Sequence, residues 1–147
     1  MTALIKPDTL YDRDFNLWLE QAIAQLQSGD LHNLDRENLI EELQGLANRD
    51  KRELQQRLKV LLEHLLKRRH VDLPECFRGW EITIVNQRSE IESLLEQSPS
   101  LKRYLSEVFD KSWQTALKLV RLEYPETVFP DIWQFPQSDA ILTEKLW

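Results

Sequence analysis

The sequence is poor in chain breakers and poorer still in thiols: three glycines, six prolines and one cysteine in 147 residues. So few breakers favour long helices over many short strands joined by tight turns. A single cysteine, Cys76, excludes an intrachain disulfide and fits a reducing compartment. No apolar run approaches the ~20 consecutive residues of a membrane-spanning helix. The opening stretch MTALIKPDTLYDRDF lacks the apolar core of a secretory signal. An excess of basic residues is missing too. The formal net charge of −6 argues against a general nucleic-acid binder, which is basic overall. No internal repeat and no low-complexity tract is found. These absences lead to the expectation of a cytoplasmic protein with no membrane partner.

What is present describes a folded chain. Hydrophobic residues at 41% and charged residues at 30% belong to a globular protein, and the length suffices for one domain, 1–147, with a real core. The apolar spacing predicts four helices. The first runs from about Leu10 to Gln27, with Phe15, Trp18, Leu19, Ala22 and Leu26 on one face, Asp8 or Asp12 as cap and Gly29 suited to the left-handed turn after it. The second carries the densest stripe, within Leu34–His70. Asp35 takes its N-cap position, and Leu39, Leu43, Leu46, Leu54, Leu58, Leu61 and Leu65 step by three or four residues. The stripe has one gap, the six polar residues Asn48–Glu53. A straight helix of this length would span roughly 50 Å, so a kink or break is expected near Gly45–Asp50.

Pro74 closes the next connection. A third helix, about Glu75–Gln97, presents Phe77, Trp80, Ile84, Ile91, Leu94 and Leu95, with Arg88 on the same face. Ser98-Pro99 reads as a serine cap with proline at the first helical position, opening a fourth helix to Glu123. The tail from Pro125 is rich in proline and aromatics. Phe129, Ile132, Trp133 and Phe135 require it to drape over the helices, with Ser138 capping a last short helix over about 139–145. Of the five tryptophans, Trp133 and Trp147 lie in this tail and, if left uncovered, would mark a partner site. The fold class expected is all-α: an antiparallel up-and-down four-helix bundle with the tail packed on it.

Four groups of residues bear on chemistry. Glu41, Glu42 and His64 suggest a carboxylate-bridged metal site, but a Glu-x-x-His motif ending at His64 needs glutamate where Leu61 stands. In one straight helix Glu41 and His64 lie roughly 35 Å apart, so no metal is expected and the acid pair reads as a surface feature favoured by the helix dipole. His64, Gln87 and Arg88 form a candidate polar site between helices. His64 should lie level with Ile82. Arg88 should lie level with Leu58, within reach of Gln55, Gln56, Glu63 or the fourth helix. A charge on an apolar face must be paired or hydrogen-bonded, and the alternatives are a ligand contact and a structural pair. Lys67, Arg68 and Arg69, with His70, make a basic corner, read either as an anion or nucleic-acid contact or as bases complementing a helix C-terminus. Cys76 starts a helix, where a thiol's pKa can fall, but no oriented base accompanies it.

The runs Leu39–Leu43 (LIEEL) and Leu61–Lys67 (LLEHLLK) come first. The spaced set Trp80, Thr83, Ile84, Gln87, Arg88, Ile91 follows, then SPSL at 98–101 and the tail around Phe129-Pro130. Together they resemble the DUF29 family over nearly the whole chain. The departure is Arg68-Arg69-His70, where relatives tend to carry an aromatic residue. The resemblance implies an all-α fold and a bacterial, chiefly cyanobacterial, cytoplasm. The family is named for its unknown function, so it implies no activity, cofactor or catalytic residue. The functional expectation is therefore a non-enzymatic interaction or regulatory module with a protein partner, a second copy of the chain remaining open. The alternative is an enzyme or small-ligand-binding protein using His64, Gln87 and Arg88. A weaker alternative is nucleic-acid binding through residues 67–70.

Overall fold

The computed structural model describes residues 9–134 and 140–147. Among them there is no strand. The helices are α1 (Leu10–Arg13), α2 (Phe15–Ser28), α3 (Arg36–His70), α4 (Pro74–Gln97), α5 (Leu101–Glu123) and α6 (Ala140–Thr143). The all-α class and the four main helices, α2 to α5, are as the apolar spacing required. The chain divides into two compact parts, residues 1–47 and 48–147.

In the first part, the helix expected over 10–27 is two helices. Asp14 interrupts it in a non-helical conformation (φ −148°, ψ 87°), and its carboxylate accepts from the Leu17 amide at 3.0 Å. A short acidic side chain that satisfies the next helix's free amide competes with continuing the previous one. Asp14, not Asp12, is thus the cap; Asp8 lies outside the described residues. Gly29 ends α2 in the left-handed region at φ 75°, as read from the sequence. Asp35 caps α3, accepting from the Asn38 amide at 3.4 Å and the Asn38 side chain at 2.7 Å. The Trp18 indole donates to Asp35 at 3.0 Å and the Tyr11 hydroxyl donates to Glu42, so α2 runs antiparallel to the start of α3.

Helix α3 is continuous from Arg36 to His70. The break expected near Gly45–Asp50 does not occur. Asn48, Arg49, Lys51 and Arg52 are exposed, Glu53 pairs with Arg57 at 3.0 Å one turn on, and a mid-helix glycine costs only about 1 kcal/mol. Polar residues interrupt the stripe without interrupting the hydrogen-bond ladder.

The second part is a bundle of three long antiparallel segments. The second half of α3 contributes Leu54, Leu58, Leu61, Leu62, Leu65 and Leu66 to the core. Helix α4 folds back after Val71–Leu73. The register is fixed by Arg57, bonded to Gln87 at 3.3 Å and paired with Glu90 at 3.7 Å, and by Arg68, paired with Glu81 at 3.0 Å. Ile84, Ile91, Leu94 and Leu95 of α4 are buried. Helix α5 begins at Leu101, not at Pro99. Residues 98–101 form a tight turn closed by the Leu101 amide on the Ser98 carbonyl at 2.9 Å, and Ser98 caps nothing. Helix α5 adds Phe109, Trp113, Ala116, Leu117 and Val120.

The tail packs on this bundle. Phe129, Ile141, Leu142 and Leu146 are buried. The Trp133 ring lies edge-on to Phe109 and Trp113 at 5.6 and 5.5 Å, and the Trp113 indole donates to the Asp131 carbonyl at 3.2 Å. The Phe135 packing and the Ser138 cap fall outside the described residues.

Candidate functional site

The residues expected to form a polar site each have their own partner. His64 lies half-buried on α3, and its Nδ1 sits 2.8 Å from the Val60 carbonyl. A carbonyl only accepts, so Nδ1 carries the proton, and Nε2 is the free acceptor of the neutral ring. Burial lowers the His64 pKa from its ordinary value, against the raising effect of the Val60 carbonyl. Gln87 accepts from Arg57. Arg88 reaches neither Gln55, Gln56 nor Glu63. Its Nε donates to the Ile141 carbonyl at 2.9 Å and its Nη2 to the Glu144 carbonyl at 2.6 Å. Burial lowers its pKa from the usual value. The charge on the apolar face of α4 is there because a guanidinium spans two main-chain carbonyls that the end of the chain leaves open. Among the described residues no hydrogen bond joins His64, Gln87 and Arg88 to one another.

The basic corner is likewise committed within the chain. Lys67 is buried, and its Nζ meets Glu123 at 2.9 Å. Arg68 pairs with Glu81 and lies 3.8 Å over the Phe77 ring. Arg69 donates to the Leu146 carbonyl at 3.1 Å. The His70 ring meets Phe129 edge-on at 5.9 Å, and burial and then Arg69 lower its pKa. Arg68, Arg88 and Lys145 all lie within 6 Å of the Trp147 ring. Arg68, Arg69 and Arg88, read as parts of two candidate sites, thus converge on one task, holding the C-terminal segment. Among the described residues no group of three His, Cys, Asp or Glu is placed to hold a metal ion. Cys76 is a free, half-buried thiol.

A different surface stands out in the first part. On α2, Phe15, Ile23 and Leu26 are exposed beside the half-buried Leu19, a four-four-three spacing that makes one stripe. On α3, Ile40, Leu43 and Leu46 are each more than half exposed. Inward of these, Trp18 and Ala22 are buried, and the rings of Tyr11, Phe15 and Trp18 form an aromatic cluster with centroids 4.8–5.8 Å apart. The Tyr11 hydroxyl, donating to Glu42, has its pKa pushed up to about 12. The Asn38 side chain, with help from Trp18, holds the Asp35 carboxyl below its ordinary value.

Charge is as unevenly distributed as apolar exposure. Residues 1–47 hold nine acidic against three basic side chains, and residues 48–147 hold sixteen of each. The whole net charge of −6 therefore belongs to the first part. The leucine periodicity located this face but gave no sign that it would be left open. The charge asymmetry was available in the sequence and is the signal that sets the two parts apart.

The family model described as "Domain of unknown function DUF29" matches residues 10–147, and the chain belongs to that family. No curated protein and no solved structure matches the chain. No described helix is long and apolar enough to cross a membrane.

Proposed function

We propose that the protein is a non-enzymatic helical interaction module whose first part receives a basic amphipathic helix of another protein. The observation that carries this reading is the exposed apolar stripes of α2 and of the first half of α3, in the part of the chain that holds the whole net charge of −6. Phe15, Ile23, Leu26, Ile40, Leu43 and Leu46 offer the spaced anchors that a helix laid along a groove requires. Clustered exposed apolar residues with a polar surround mark interaction surfaces. The charge of the surround selects the partner. A second copy would bring the same −6 to a part of the chain already carrying it, and like charges juxtaposed oppose association. A helix with lysine or arginine beside its apolar stripe meets both features at once.

A photoreactive amino acid placed at Leu43 of the full chain, irradiated in the native cell, tests this. The expected result is a discrete adduct whose linked peptide, identified by mass spectrometry, is apolar and basic. Loss of that adduct on Leu46→Asp supports the same reading. Absence of any adduct overturns it, as does an adduct to a second copy of the chain.

The reading as an enzyme around His64, Gln87 and Arg88 has less support, because Gln87 and Arg88 are bonded to Arg57 and to the C-terminal carbonyls. Nucleic-acid binding through Lys67, Arg68 and Arg69 has less for the same reason.

A further inference from the structure

We propose that a cleft between α3 and α5, in the second part, binds a small phosphate ester of sugar or polyol size. The cleft is open to solvent, offers about 460 Å³ and is lined by Arg52, Gln55, Gln56 and Lys59 of α3 and by Ser112 and Thr115 of α5. Two cations, two amides and two hydroxyls face it, and no carboxylate does.

The cations are free to act. Among the described residues neither Arg52 nor Lys59 has an ion-pair or hydrogen-bond partner, whereas the neighbouring Glu53 is taken by Arg57. Arginine presents a planar fork matched to phosphate oxygens, and lysine adds a point charge. The two are seven residues apart, about two helical turns, and Gln56 stands between them.

Ser112 supplies the second observation. It is 2% exposed, and its hydroxyl has no hydrogen-bond partner. A buried hydroxyl left unpaired is destabilising; this one lies in the wall of the cleft and is closed to solvent, so it bonds a ligand once a side chain over it moves aside. The other polar groups fix what that group must be. Gln55 accepts from the Tyr104 hydroxyl through its carbonyl oxygen at 3.4 Å, which leaves its amide as a donor. Thr115 donates to the Lys111 carbonyl at 3.0 Å, which leaves its oxygen as an acceptor. The site therefore offers positive charge and several donors for an oxyanion, with an acceptor suited to a ligand hydroxyl. Its volume lies in the range of small-molecule sites, roughly 300–1,000 Å³, and exceeds what phosphate alone would fill. No aromatic ring lines it, so it lacks the stacking surface on which single-stranded nucleic acid depends.

The inference does not rest on the interaction reading, since every residue of the cleft lies beyond the first part. Its test is a titration of the full chain with ribose 5-phosphate, followed by amide NMR shifts and calorimetry. Saturable shifts confined to residues 52–59 and 112–115 are expected, with binding at least about ten-fold weaker for ribose, the loss of one charge-assisted contact or more. Arg52→Gln with Lys59→Gln, both at the surface, should abolish the response. Ser112→Ala should weaken binding several-fold while raising Tm, a combination that a merely structural serine does not produce. Equal response to ribose, no saturable shift, full binding by the double variant, or binding of an oligonucleotide but not of the ester would overturn the proposal.

Discussion

The two halves of α3 carry one leucine stripe and meet opposite fates. Leu39, Leu43 and Leu46 step by the same three or four residues as Leu54, Leu58, Leu61 and Leu65. Yet Leu43 is 56% exposed while Leu54, Leu58 and Leu61 are 0% exposed. The second half is covered by α4, α5 and the C-terminal segment. The first half has α2 beside it, and α2 buries only Trp18 and Ala22. Helical periodicity specifies which face of a helix is apolar. It does not specify whether anything in the same chain covers that face. In the reading proposed above, the part of the stripe that continues past its cover is the surface that meets the partner.

The sharpest way to break this comparison is to truncate one leucine from each half. Leu61→Ala should cost about 2–5 kcal/mol, the range for emptying a fully buried leucine site. Leu43→Ala should stay within about 0.5 kcal/mol, as for exposed positions with no special role. Urea unfolding followed by circular dichroism measures both. A Leu43 variant as destabilised as the Leu61 variant would mean that the first half is covered after all.

The covered half depends on the C-terminal segment, and Arg88 ties that segment down. Arg88→Met keeps most of the aliphatic stem but removes the donors to the Ile141 and Glu144 carbonyls. A loss of about 1.5–3 kcal/mol is expected for hydrogen bonds from a charged group. Amide exchange over residues 140–146 should accelerate more than exchange in α2. If α2 responds equally, the tail supports the whole chain and the distinction between the halves loses force.

A smaller change of opposite sign belongs to Ser112. Removing its unpaired buried hydroxyl by Ser112→Ala should raise stability by about 1 kcal/mol. An unchanged or lowered denaturation midpoint would mean that the oxygen is satisfied in solution.

Much of the fold was legible from local chemistry. Gly29 at a left-handed turn, Asp35 as a cap and the break before α4 at Pro74 are decided by the residue itself and its nearest neighbours, though Pro74 is itself the first residue of α4 and not the last of the connection. Asp14 is not singled out by the sequence because two aspartates within one turn offer equivalent caps, and only the backbone shows which one is used. Ser98-Pro99 carries a helix-start pattern, but the chain uses it as a turn two residues ahead of the helix. The Arg88 contacts were out of reach for a different reason. They join residues more than fifty apart, and the path of a proline-rich tail leaves no periodicity to read. The polar gap at Asn48–Glu53 was legible as a change, but not as the right one. It marks the boundary between the two compact parts, and the helix runs through it.

Acid should separate the halves by where each loses stability. In the covered half, burial lowers the His64 pKa and, at the end of the helix, that of His70. The unfolded chain then binds more protons than the folded one as pH falls through the ordinary histidine value of about 6.5. Stability is full above that value and declines between it and the lowered folded pKa. His64→Gln should flatten this part of the profile while leaving the Asp35 contribution intact. In the open half, Asp35 is held below its ordinary value by Asn38 and Trp18. Its contribution is present above the unfolded carboxylate value of about 3.9 and is lost only as pH falls through the lower folded pKa. Tryptophan fluorescence alone would mix the two parts, so residue-resolved amide exchange across pH 3 to 8 is the deciding measurement. The second half of α3 should loosen first, as its histidines are forced to charge. The cap of α3, joined to Trp18, should persist to a lower pH. Simultaneous loosening would mean that the halves unfold as one cooperative unit, and that the exposed stripe is a property of the surface and not of a separately stable part.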